Sequence, residues 1–115
     1  MKTLINPYYN PDELGLVKFD LDEPGLSYEY NTLCFWATPD GQVYSASDSG
    51  CSCPTPFEGF SGANQKEVLQ SLERVGSVEQ AERIIAAWNN YNGKPFVCRA
   101  DVDEALAWVK SHLLS

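Results

Sequence analysis

Cys51 and Cys53 stand one residue apart in the run Ser47-Asp48-Ser49-Gly50-Cys51-Ser52-Cys53-Pro54-Thr55-Pro56-Phe57-Glu58. Two thiolates this close can begin a tetrahedral zinc site, and Asp48, Glu58, Cys98 or His112 have the chemistry to complete it. The pattern is only half of a structural zinc motif. A second close pair is missing, and such pairs are usually spaced more widely than C-x-C. Zinc held by Cys51 and Cys53 is therefore an alternative expectation. Metal analysis of protein purified without added zinc decides it, because structural sites bind tightly.

Other chemistry finds less support. A cysteine nucleophile needs a base and an orienting group. The chain has one histidine, His112, and its place near the C-terminal end of a helix already accounts for it. Ser49 lacks the Gly-x-Ser-x-Gly elbow of a hydrolase. A disulfide within C-x-C closes a strained ring, which disfavours redox cycling. No phosphate-cradling or dinucleotide fingerprint is present. The expectation is a non-enzyme with no catalytic residues and no cofactor.

The same run has a plainer physical reading. Asp48 and the serines suit bonds to neighbouring backbone amides. Gly50 suits a positive φ, the prolines stiffen the exit, and Phe57 can anchor the loop in a core. On this reading Asp48, Ser49, Gly50, Cys51, Cys53 and Phe57 form a rigid joint that doubles as a candidate interaction loop.

The flanking elements must position it. Residues 16–21 alternate, with Val17, Phe19 and Leu21 inward and Lys18 and Asp20 outward, the mark of a half-buried strand. Residues 27–36 form the strongest strand, with Tyr28, Tyr30, Thr32, Cys34 and Trp36 on one face. Leu33 and Phe35 make its far end apolar on both faces, so that end is expected to be covered twice, by helices and by the N-terminal arm or a partner. Thr38-Pro39-Asp40-Gly41 is a turn, and residues 42–47 return as a third strand. Tyr8 and Tyr9 could pack the proline-rich arm onto the body.

Beyond the loop the periodicity becomes helical. Asn64 to Glu67 is a capping box opening a helix whose stripe is Val68, Leu69, Leu72 and Val75, closed by Gly76. Ser77 to Gln80 opens a second, with Val78, Ala81, Ile84, Ile85, Trp88 and Tyr91 inward and Asn92-Gly93 as its stop. Asp101 to Glu104 opens the last, with Val102, Ala105, Leu106, Val109 and Leu113 inward. Phe96-Val97-Cys98 is a short β-prone stretch, a candidate fourth strand or a connector. Cys34 and Cys98 read as small core residues. The fold class expected is α+β: a small antiparallel sheet of three strands, with room for a fourth, and two to three C-terminal helices on one face.

At 115 residues, with three Trp, six Tyr and five Phe, the chain is expected to be one domain, a sheet half at 1–60 and a helical half at 61–115. The net charge of −8 is uneven: nine acids face two lysines in residues 1–60, and seven acids face six bases in residues 61–115. That argues against direct nucleic-acid binding, which needs clustered Lys and Arg, and favours a basic partner. No apolar run reaches the ~20 residues that span a bilayer, and the opening Met1 to Pro7 breaks too early for a signal peptide. A cytoplasmic protein with reduced thiols is expected.

Tyr30-Asn31-Thr32-Leu33, Trp36, Asp40-Gly41 and the string Ser47-Asp48-Ser49-Gly50-Cys51-Ser52-Cys53-Pro54, followed by Pro56-Phe57-Glu58, together resemble a family of small uncharacterised proteins of actinobacteria and their bacteriophages. The resemblance spans about residues 15–60. It implies an origin in an actinobacterial cytoplasm or a phage gene expressed there, and no activity. The leading expectation is a non-enzymatic module that binds a host protein, with Asp20, Asp22 and Glu29 steering. A third expectation, an acidic DNA mimic, predicts binding that weakens sharply with salt.

Overall fold

The longest apolar strand is covered from both sides. In the computed structural model, which describes residues 3–51 and 56–113, β1 (Val17–Asp22), β2 (Glu29–Ala37) and β3 (Val43–Cys51) form an antiparallel meander. The register pairs Phe19 with Phe35 and Leu21 with Leu33 on one face, and Lys18 with Trp36, Asp20 with Cys34 and Asp22 with Thr32 on the other. Leu33, Phe35 and Ala37 face one core; Cys34 and Trp36 face a second. The double covering read from Leu33 and Phe35 is what the fold contains. The connecting turn closes as its residues dictate: Thr38 N donates to Gln42 O at 2.9 Å, Gly41 N donates to Thr38 O at 3.1 Å, and Gly41 takes φ 88°.

The first core lies under α2 (Val78–Trp88) and α3 (Arg99–His112), which bury Ala81, Ile85, Val102, Ala105 and Val109 against the sheet. The second is closed by the N-terminal arm, by α1 (Gln65–Gln70) and by Phe57. The helices therefore do not share one face. Tyr8 stacks on Phe57, their centroids 5.3 Å apart, while Tyr9 stays exposed. The fully buried Trp36 donates its indole N–H to Pro7 O at 2.9 Å. Ile5 pairs with Gly62 through two backbone bonds, so the arm is stitched to the chain beyond the loop.

The expected helix over 64–75 is cut short. Its capping box forms, with Glu67 N donating to Asn64 Oδ1 at 3.0 Å and Ala63 N donating to Glu67 Oε2 at 2.7 Å. The helix stops at Gln70, and Glu73–Val75 becomes β4, pairing with Val43, Tyr44 and Ser45 of β3. The reason lies in the two cores. Val68 and Leu72 belong to one and Val75 to the other, so a single helix stripe cannot serve all of them.

The fourth strand is thus β4, and Phe96-Val97-Cys98 is a connector. Three of its backbone groups are taken by one side chain. Asn89 Oδ1 accepts from Phe96 N and Val97 N, both at 2.8 Å, and Asn89 Nδ2 donates to Val97 O at 3.1 Å. Helix α2 ends at Trp88, before Asn92-Gly93, and that pair forms a tight turn instead. Both residues take positive φ, and Tyr91 and Lys94 exchange two backbone bonds. Helix α3 starts at Arg99, ahead of the expected Asp101, with Cys98 at its N-cap and Arg99 Nε 2.8 Å from Asp103 Oδ1. Cys98 is exposed, contrary to its reading as a core residue, while Cys34 is fully buried.

Candidate functional site

Asp48 organises the end of the sheet where the cysteine loop leaves it. Its Oδ1 accepts from Ser49 N at 2.9 Å, and its Oδ2 accepts from Tyr30 O–H at 3.1 Å and Phe57 N at 2.8 Å. The expected role of Asp48 as a binder of nearby amides holds. Phe57, in the left-handed region at φ 61°, is wholly buried between Tyr8, Trp36 and Phe60. It anchors the loop and offers a partner no surface. Gly50 does not have the positive φ expected of it. It lies opposite Tyr30, and a Cβ there would stand 3.3 Å from the Tyr30 oxygen, so its role is to let the ring pass.

Cys51 is the last residue of β3, opposite Glu29. Its side chain and all of Cys53 lie outside the described residues. Among the described residues no three His, Cys, Asp or Glu side chains converge as metal ligands. His112 is placed far from Cys51. It lines a cleft with Val17, Ala37 and Pro39, at the other end of β2 from Glu29. Eight residue steps separate the two ends of β2, ~26 Å at ~3.3 Å each. His112 Nδ1 lies 2.8 Å from Trp108 O, and the His112 ring packs on that of Trp108.

A second polar group lies on the arm side of the sheet. Lys18 Nζ bonds Asp20 Oδ1 at 3.0 Å and sits 4.5 Å over the Tyr8 ring, and Thr32 Oγ1 donates to Asp22. Burial pushes the Tyr8 hydroxyl up to about 12, with the Asp20 and Asp22 charges adding to it. Burial also raises the Asp22 carboxyl above its ordinary value. The Thr32 bond opposes that shift, and a hydrogen bond and the charge of Asp20 reinforce it. Burial raises the Cys34 thiol in the same way, which keeps it out of nucleophilic chemistry. Asp20 and Asp22 thus belong to a hydrogen-bonded network on the arm side of the sheet, with Asp22 exposed at its end level with Asp48, and Glu29 lies opposite Cys51.

At that end the surface opens into a cleft of 520 Å³ lined by Glu23, Leu26, Glu29, Tyr30, Asn31, Ser49, Gly50 and Tyr91. Tyr91 is 69% exposed and Tyr28, adjacent to Glu29, is 80% exposed. Glu23 is held by Asn31 Nδ2 at 3.0 Å, and the other side-chain atom of Asn31, Oδ1, accepts the Trp88 indole N–H at 2.9 Å. That bond fixes the end of α2, and so the Tyr91 turn, beside the sheet. Helical spacing places Tyr91 on a buried stripe, whereas the early end of α2 leaves it exposed. The signal was the Asn92-Gly93 pair, which suits a projecting turn as well as a helix stop.

The pattern of the family described as "Domain of unknown function (DUF7574)" matches residues 5–112. The chain belongs to that family. In this DUF7574 chain the match takes in the arm, the whole sheet and all three helices. No curated protein and no solved structure matches it.

Proposed function

We propose that this DUF7574 domain is a small non-enzymatic module that binds a basic protein partner in the cytoplasm of an actinobacterium, either as a host protein or as a phage product. The observation that carries the reading is the cleft at the loop end. Tyr91 lines it and Tyr28, next to the lining residue Glu29, is exposed, Glu23 and Glu29 supply negative charge, and among the described residues no Lys or Arg lines it. Exposed tyrosines offer rigid contact area at low entropic cost and are enriched among residues that dominate interfaces. Acids at the rim hasten the approach of a basic partner.

Affinity capture from an actinobacterial lysate tests this. The full chain should retain a protein that a Tyr28→Ala/Tyr91→Ala double variant loses, with retention weakened by Glu29→Gln and by raised salt. Retention of the same proteins by both chains at all salt concentrations would sink the proposal.

A further inference from the structure

β4 covers only a third of β3. It pairs with Val43, Tyr44 and Ser45, and from Glu73 backwards the chain turns out of the sheet plane, because Leu72 drops into the core beneath α1. Ser71 N and Leu72 N are tied to Val68 O and Leu69 O. Among the described residues nothing pairs with the outer edge of β3 from 46 to 51.

The direction of each backbone group on that edge follows from the ladder. Glu23 N donates to Asn31 O, and Thr38 N donates to Gln42 O. Odd residues of β2 therefore bond toward β1 and even ones toward β3. In β3 the even residues bond inward, and Ser47 and Ser49 direct their backbone groups outward. Ser49 N is already held by Asp48. Ser47 thus presents both its N–H and its C=O, and Ser49 its C=O, to the outside.

Directly below this edge is a cleft of 340 Å³ whose lining includes Leu33, Ser47, Glu73, Ile84, Ala87 and Trp88. A residue added opposite Ser47 would put its side chain on the same face as Ser47, into this apolar hollow. The opposite sheet edge differs. β1 carries Lys18, Asp20 and Asp22 in six residues, a charged guard against strand addition. The open part of β3 carries one charge, Asp48, and among the described residues no cation pairs with Asp48 or with Glu73.

We infer that the free edge of β3 binds an extended peptide segment of a partner as an added strand collinear with β4, with an apolar side chain opposite Ser47 and basic side chains flanking it. This rests on the protein-binding reading above and gives it a recognition mode. Backbone bonds to Ser47 and Ser49 hold the segment, the hollow between β3 and α2 selects the apolar residue, and Asp48, Glu73 and the net charge of −8 favour the basic ones. Ser49 also lines the tyrosine cleft, so the segment would lead into it.

The probe is a fluorescein-labelled, end-blocked heptapeptide alternating Lys and Val, titrated into the full chain. Binding should saturate and survive moderate salt. N-methylation at one set of alternate residues should weaken it by more than about tenfold, and at the other set hardly at all, since only one set faces β3. Ser47→Pro removes the outward N–H at an edge position that tolerates proline. Ala87→Arg fills the hollow from an exposed helix position. Each should weaken binding by at least about tenfold with an unchanged circular dichroism spectrum. Absence of saturable binding, or N-methylation effects without a two-residue period, would overturn the inference. A dimer abolished by Ser47→Pro, with no peptide bound, would give the edge to a second copy and overturn it as well. Lysate capture that depends on Tyr28 and Tyr91 but not on Ser47 would leave the protein-binding reading standing and remove the added strand alone.

Discussion

Asp48 Oδ2 accepts the backbone N–H of Phe57 at 2.8 Å, joining the inner part of β3 to the residue that plugs the second core. One carboxylate so closes the cysteine loop from both ends. Asp48→Ala would leave the Phe57 amide and the Tyr30 hydroxyl without this acceptor. We predict a loss of about 2–4 kcal/mol by urea unfolding, from hydrogen bonds to a charged group at ~1.5–3 kcal/mol each with partial replacement by water. Asp48→Asn should fall between, because its amide nitrogen cannot accept. A change below about 0.5 kcal/mol would show that the loop does not depend on this bond.

Asn89 does with one side chain what a strand partner would do for the connector. Asn89→Ala abandons the Phe96 and Val97 amides and the Val97 carbonyl. The expected cost is about 3 kcal/mol, since each buried unsatisfied group costs ~1–3 kcal/mol and the Phe96 amide is only part-buried. Asn89→Asp keeps the acceptor and loses the donor, so it should be milder at low pH than at neutral pH. Equal stability of all three proteins in urea would refute this.

Asp22 binds its proton more tightly in the folded chain than in the unfolded one. A raised folded value means its contribution to stability is fully present below the ordinary aspartate range and is lost as pH rises through the folded value. Asp22→Asn keeps an acceptor for Thr32 and removes the titration. As pH is raised from about 3.5 to 7, the difference in urea midpoint should move in favour of the variant. Movement toward the wild type would reverse the assigned direction.

Cys34 and Cys98 should separate cleanly toward a thiol reagent. Cys98 is exposed at the head of α3, whereas Cys34 is fully buried with its thiol pushed up by burial. In native Cys51→Ser/Cys53→Ser protein, Cys98 should react at least ~100-fold faster than Cys34, and denaturant should abolish the difference. Comparable native rates would place Cys34 at the surface.

The meander was legible because its signals are local. The alternation of residues 16–21 and the Pro39-Asp40-Gly41 turn placed the strands, and Leu33 and Phe35 revealed one with two buried faces; the inside and outside of β1 were not legible, because the arm half-buries Lys18 and Asp20 while Val17 is exposed. The α1–β4 segment was not legible, since Val68, Leu72 and Val75 keep helical spacing while serving opposite faces of the sheet. Only the second core, built from an arm at the other end of the chain, distinguishes them. The connector at Phe96 likewise looked like a strand because nothing in its own residues shows that Asn89 already occupies its backbone. At the candidate site, the loop's bonding residues were readable from type, but the projection of Tyr91 depended on where α2 stops.

The pairing of Ile5 with Gly62 and the bond from Trp36 to Pro7 bear on the order in which the chain folds. The β2–β3 hairpin closes over short sequence separations, while the arm must find partners that arrive much later along the chain. Loop-closure entropy therefore favours the hairpin first and the arm last. The arm-side core is then the first part to open. Hydrogen exchange at the Trp36 indole should run ahead of exchange at the central β2 amides, marking a subglobal opening that leaves the helical side of the sheet intact.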